Sequence, residues 1–479
     1  MKRVGWARWA VVCSVALTAG TVSSVSAQAV ADAATTAPIG LGEAIQVALA
    51  HSPTAEAARQ SKLSAEARVG TARSSWLPQL TLSGTVRGDY SYQIGGMNGQ
   101  SAVSTLRSSG QLALNQMIYD FGRVGGRISA AQASAQAAQT DERNVQSQVV
   151  LGAMSGFYAV LQAEALLSVA SENQQQQLRR LKQAESFFKI GTKPQIDVLI
   201  AQTAVAQSRL QVLQAQGNVQ VARTQFLQSL GLPESDWSRW QKRPMSSVLP
   251  PPHALESLLS GASAETVATI PDETVDAALL NRPDYQSLQS RVRAAEAQLK
   301  AARADYLPTL SIGGSASLSS GTIGGISGLD VTTQQSLPGL LVTGTLGLNW
   351  PVLTGLSTVY AVRDAQAQLS LARANLQQLR LSVRSQLQQA LQQVLTAWLT
   401  VEASVALANQ AKKQLEMADG RYRAGVGNAI ELGDAQVSAM QAQAQQVQAD
   451  FALAQQRASL RFYLGELIKE PEPRGGTSP

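Results

Sequence analysis

Two carboxylates three residues apart, Glu431 and Asp434, close the segment RYRAGVGNAIELGDAQ at 421–436. On a helix that spacing puts both acids on one face, where they could act together. A more local role is also open. Asn428 to Glu431 spells N-x-x-E, a capping-box pattern, and an acid in the first turn suits the helix dipole. Capping accounts for Glu431 better than for Asp434. Arg421 and Tyr422 precede the turn, and Gly425 and Gly427 let the chain reverse.

Other chemistry is scarce. His51 and His253 are the only histidines and stand about two hundred residues apart. Cys13 is the only cysteine, so disulfides and thiolate-held metals are not expected. No H-E-x-x-H, P-loop, G-x-G-x-x-G or G-x-S-x-G falls in a strand–helix context. The expectation is a protein that is not an enzyme and has no metal or cofactor.

The elements that must hold the acids are long. From Leu356 to Asp419 there is no glycine and no proline. Only 15% of the 479 residues are charged and 5% aromatic, which suits long helices packed through small side chains. Residues 1–29 read as a signal peptide. Lys2, Arg3 and Arg8 precede an apolar run, and Ala27 and Ala29 offer cleavage sites. An uncleaved anchor is the alternative. Cleavage removes three basic residues, so the formal net charge falls from +6 to +3, and nothing calls for nucleic acid. The uncharged stretch 145–163 reads as a bundle interface rather than a membrane span.

The sequence is written twice. AEARVGTARSSWLPQLTL at 65–82 matches AEAQLKAARADYLPTLSI at 295–312, an offset of 230. Downstream an offset of 234 relates Asn115 to Asn349, Gly191 to Gly425, Asp197 to Glu431 and Lys193 to Gly427. In the first copy Phe187 and Phe188 replace Arg421 and Tyr422, and Ile200 replaces Asp434.

A first repeat is therefore expected over 40–270: a helix at 54–76, strands 80–92 and 103–118, a long helix 122–190, a return helix 195–230 and an irregular equatorial segment 232–270. The second spans 271–467, with a helix at 284–306, strands 309–319 and 340–352, a long helix 356–424 and a return helix 428–465. Residues 468–479 read as a disordered tail, and 93–102 and 320–338 as Gly/Ser-rich loops. The strand runs alternate, most weakly at 103–118 where Ser108 and Gln116 share the apolar face, and most clearly where Leu80, Leu82, Val86, Tyr90 and Tyr92 stand opposite Thr81, Ser83, Thr85, Arg87, Asp89 and Ser91. A membrane barrel alternates this way, and so does a half-buried soluble sheet. Four strands cannot close a barrel, because an open edge in lipid leaves backbone groups unpaired. If the strands span a membrane, several chains must contribute.

The paired WLPQL and YLPTL, the paired LALN and LGLNWPV, and RYRAGVGNAIELGDAQ recur in order over about 40–467. On these motifs the chain resembles the outer-membrane efflux proteins of the TolC type. The resemblance implies an α+β membrane protein, a homotrimer whose chains each give four strands to a 12-stranded outer-membrane β-barrel, continued by a long periplasmic α-helical barrel. It implies a passive exit duct in the Gram-negative outer membrane, in contact with lipid. Its partners would be a periplasmic adaptor and an inner-membrane RND or ABC transporter, in a tripartite pump or type I secretion system. Glu431, Asp434 and Asp197 would form a cation-selective ring at the periplasmic aperture. Arg421, Tyr422, Gly425, Gly427, Gly191 and Lys193 would form the tip turns that meet the adaptor. Tyr422 would help to hold the mouth shut, with Lys193 able to take part where Gly427 supplies no basic side chain. The alternative is a periplasmic coiled-coil scaffold or adaptor without a pore.

Overall fold

A computed structural model of the chain describes residues 38–96, 99–241, 243, 272–327 and 330–467. The expected signal peptide at 1–29, most of the equatorial segment beyond Arg243 and the tail at 468–479 lie outside them. The first half runs α1 (Leu41–His51), α2 (Pro53–Ser74), β1 (Gln79–Gly96), β2 (Gly99–Tyr119), α3 (Arg123–Lys189), α4 (Gln195–Leu230) and α5 (Glu234–Gln241). The second runs α6 (Asp272–Asn281), α7 (Pro283–Ala304), β3 (Thr309–Ser327), β4 (Asp330–Asn349), α8 (Ser357–Arg423) and α9 (Ala429–Tyr463).

Local chemistry sets these boundaries in the same way in both halves. Proline occupies the first turn of α2 and α7, where its missing N–H costs nothing. Pro78 and Pro308 disfavour helix at the residue before them, so each helix gives way to a strand. At the start of α3 the buried Asp120 carboxylate accepts from the backbone N–H groups of Gly122 and Val124. At the start of α8, Thr354 Oγ1 accepts from Thr358 N. Gln116 donates to Trp76 O at 2.6 Å, and Trp350, its counterpart, donates to Tyr306 O at 3.2 Å. The duplication therefore extends to individual hydrogen bonds made by different side chains.

The four strands form one antiparallel sheet in the order β1-β2-β3-β4, with β1 and β4 as free edges. Its register places Thr81, Ser83 and Thr85 opposite Ala113, Gln111 and Ser109, and these opposite Ser315, Ser317 and Ser319. The other face carries Leu80, Leu82 and Val86 with Leu112 and Leu114, then Ala316 and Leu318, then Val342 and Leu346. That apolar face is bare: Leu82, Val86, Val342 and Leu346 are 70–79% exposed. A soluble sheet would cover such a surface; a lipid-facing one need not.

The strands exceed their expected bounds. Segments 93–102 and 320–338, expected as loops, are largely strand, and the ladders run from Gln93↔Ser101 and Ser327↔Asp330 inward. Ladder bonds come from backbone groups, so Gly, Ser and Thr pair without an apolar signal. β4 ends at Asn349 and not at 352, because Pro351 has no N–H for the ladder. Pro338 is accommodated where the β3–β4 register shifts between Ser319 and Gly321.

α3 and α8 each hold 67 residues, roughly 100 Å of helix. α4 and α9 pair with the half remote from the strands; α2 and α7 pair with the half nearer them. Alanine is the most frequent buried residue along the seams, as at Ala411, Ala439 and Ala442. The larger core lies where α1 meets α3 and α4, around Phe157, Leu230 and Val160. Here the apolar stretch of α3 is used: Val150, Met154, Phe157 and Leu161 are buried against protein. A Cβ on Gly156 would meet Ser229 and Phe226 at 3.0–3.2 Å, so α3 and α4 approach closely.

Candidate functional site

The two helical hairpins end in matched turns. Gly191 and Gly425 have φ of +79° and +81°, a conformation in which a Cβ would be strained. Around each, backbone N–H groups return to the last helical carbonyls: Thr192 to Phe187 O at 3.0 Å, and Val426 to Arg421 O at 3.1 Å. The second turn is the tighter one. Gly427 N also donates to Arg421 O at 3.0 Å, and a Cβ on Gly427 would lie 2.9 Å from Tyr422 N. Backbone contact thus explains glycine where the first copy has Lys193.

The tips are joined to each other. Tyr422 is buried, and its hydroxyl donates to Asp197 Oδ2 at 3.2 Å. Lys193 Nζ donates to Gly427 O at 3.3 Å and lies 4.8 Å from the centroid of the Tyr422 ring. Phe187 packs against the same ring, with centroids 6.3 Å apart. One aromatic side chain is thus held by a carboxylate, an ammonium group and a second ring, all from the opposite hairpin. Burial, then the Asp197 charge and the bond to it, push the Tyr422 phenol up to about 12, against the opposing pull of Arg180.

The three expected aperture acids have different surroundings. Asp197 is engaged by Tyr422. Glu431 is exposed and pairs with Arg421, Nε to Oε1 at 3.2 Å. Asp434 is exposed and makes no hydrogen bond or ion pair among the described residues. The capping box forms only in part: Asn428 Oδ1 accepts from Glu431 N at 2.6 Å, while the Glu431 carboxylate turns to Arg421. The competing guanidinium is the physical reason.

Further residues join this end of the molecule. Burial lowers the pKa of Arg180, with Asp419 opposing and Arg423 reinforcing that shift, and its Nη1 has no hydrogen-bond partner among the described residues. Arg423 pairs with Asp419 at 2.7 Å, an i,i+4 pair visible in the sequence. Buried Gln177 of α3 donates to Gln436 of α9 at 3.0 Å, four residues from Asn173, which donates to Met440 Sδ. No local pattern announces that cross-helix pair. What the arrangement offers is a charged, polar latch between hairpins, with the exposed Asp434 carboxylate in the second turn of α9.

Comparison with known proteins bears on the family and the fold. A family described as "Outer membrane efflux protein" matches residues 44–232 and again 274–466, one match per repeat. The chain is 25% identical over 438 residues to Protein CyaE of Bordetella pertussis, covering 90% of this chain and 84% of that one. It is 22% identical over 338 residues to outer membrane efflux protein BepC of Brucella suis, covering 70% of this chain and 64% of BepC. In fold it superposes on the outer-membrane channel OprN with a TM-score of 0.70 at 19% identity, covering 89% and 90% of the two chains.

Proposed function

The chain belongs to the outer membrane efflux protein family, and from that premise we propose that it is one protomer of a homotrimeric exit duct. Three four-stranded sheets would close a 12-stranded barrel, edge β1 of one chain against edge β4 of the next. The single observation that carries this reading is the sheet itself. It has one bare apolar face, one Ser/Thr face and two unpaired edges of 18 and 20 residues, which lipid would not tolerate. α3 and α8 then continue the barrel as a tunnel of roughly 100 Å into the periplasm.

The tips would be both aperture and docking surface. Ile196 and Ile430, equivalent positions in the two repeats, are 56% and 63% exposed at the far end of the helices. Exposed apolar residues so far from a membrane suit a protein partner, the periplasmic adaptor that would bring in an inner-membrane RND or ABC transporter. Energy would come from that transporter; the duct itself would only open and close. Opening would separate Tyr422 from Asp197 and Lys193 from Gly427. Asp434, repeated three times, would favour cations at the mouth.

Purified protein inserted in planar bilayers is expected to conduct ions in discrete steps, and cross-linking in membranes to stop at three chains. Silent bilayers with no outer-membrane fractionation would leave the poreless scaffold as the better reading.

A further inference from the structure

We propose that Arg87 and Arg107 form an anion-binding belt inside the barrel, a site for phosphate- or carboxylate-bearing molecules. It rests on the reading above that the Ser/Thr face of the sheet lines a water-filled lumen. The two arginines are direct cross-strand partners in the β1–β2 ladder, so both guanidinium groups leave the same face at the same height. The row continues to Gly321 of β3 and Ser336 of β4. β1 to β4 hold no other arginine or lysine. The only two cations of the sheet are thus placed against one another.

Like charges directly opposite in a ladder destabilise the pair. The neighbouring rows on that face, Thr85 with Ser109 and Ser83 with Gln111, show that a neutral pair suffices for the fold. Arg87 Nε is partly satisfied by Asp89 Oδ1 at 2.8 Å. Arg107 is exposed and makes no hydrogen bond or ion pair among the described residues. Two arginines and one aspartate leave one net positive charge per chain at this level. The other acid of the strands, Asp330, pairs with Ser327 at the hairpin end, roughly 20 Å farther along the sheet. On the opposite face the flanking residues are Val86 and Leu106, within the apolar band. Charge at membrane depth, on the wet side of the sheet, marks a site for a ligand or permeating ion.

An anion seated between the two side chains would convert their repulsion into charge-assisted hydrogen bonds. Guanidinium is suited to this, since its planar fork matches carboxylate and phosphate oxygens. Threefold repetition would make a ring near the outer end of the duct, opposite in sign to the free carboxylates at the periplasmic tip.

The test uses the full protein in planar bilayers with inorganic pyrophosphate as probe and citrate in parallel, each added on the barrel side. Wild type is expected to be blocked. The Arg87→Gln/Arg107→Gln variant should need about tenfold more pyrophosphate for the same fractional loss of its own current. Equal block of both proteins overturns the belt. Block by only one of the two anions identifies which chemistry it takes. Calorimetric titration of folded wild type with pyrophosphate decides separately, and no uptake overturns the belt even if the variant fails to assemble. If wild type carries no current, the channel reading falls while the titration still judges the site.

Discussion

The Tyr422 hydroxyl lies 3.2 Å from Asp197 Oδ2, a bond between residues 225 positions apart that ties the two hairpin tips together. A hydrogen bond to a charged group contributes about 1.5–3 kcal/mol, and here the tyrosine partner is buried. Tyr422→Phe keeps the ring against Phe187 and removes only the donor. It is expected to raise single-channel conductance and to lower stability by about 1–2 kcal/mol. Asp197→Ala should do the same, and the double variant should add little, with a coupling of about 1 kcal/mol. Full additivity in a denaturation cycle would show that the bond is not the link.

The same bond predicts a pH dependence. The phenol has a folded-state pKa of about 12 against an ordinary value of 10.0. A raised pKa means that the neutral, donating form is favoured in the folded tip. Its contribution is complete below pH 10 and is lost as pH rises through about 12. The difference in ultraviolet phenolate absorbance between wild type and Tyr422→Phe should therefore titrate near 12. A difference titrating near 10 would show a phenol free in solvent.

Much of this geometry is legible in the sequence, and the reason is the repeat. Gly191 and Gly425, or Trp76 and Tyr306, could be aligned because each serves the same local turn twice. The strand ends were not legible, since residues such as Ser101 and Thr332 pair through backbone groups that leave no hydropathy signature. The Arg421–Glu431 pair could have been found, because the two stand symmetrically about Val426 and a hairpin must bring them together. The Gln177–Gln436 bond could not: its first-copy glutamine faces Ala411 in the alignment, and only the packing of α3 on α9 creates the contact.

The acids at the mouth should not be equivalent. Asp434 is unpaired, whereas Arg421 offsets Glu431 across an exposed ion pair worth about 0.2–1 kcal/mol. Asp434→Asn is expected to reduce cation selectivity, read as reversal potential, more than Glu431→Gln does. Arg421→Gln should move selectivity the other way by releasing the Glu431 carboxylate. The ordering reverses if Glu431 alone faces the passage, and equal small effects from all three would mean that selectivity is set elsewhere.

The first turn of α9 separates capping from selectivity. Asn428 supplies the cap through Oδ1, and what it receives is the backbone N–H of Glu431, not its side chain. Asn428→Ala should therefore cost about 1 kcal/mol of stability while the reversal potential stays put. Glu431→Ala retains the capped N–H and gives up one exposed ion pair, so its thermal shift should be the smaller of the two. Both variants leave the Gly425 and Gly427 turn intact, which confines the comparison to one helix end. A Glu431→Ala protein destabilised as much as Asn428→Ala would mean that the carboxylate, through Arg421, holds α8 to α9 at the tip.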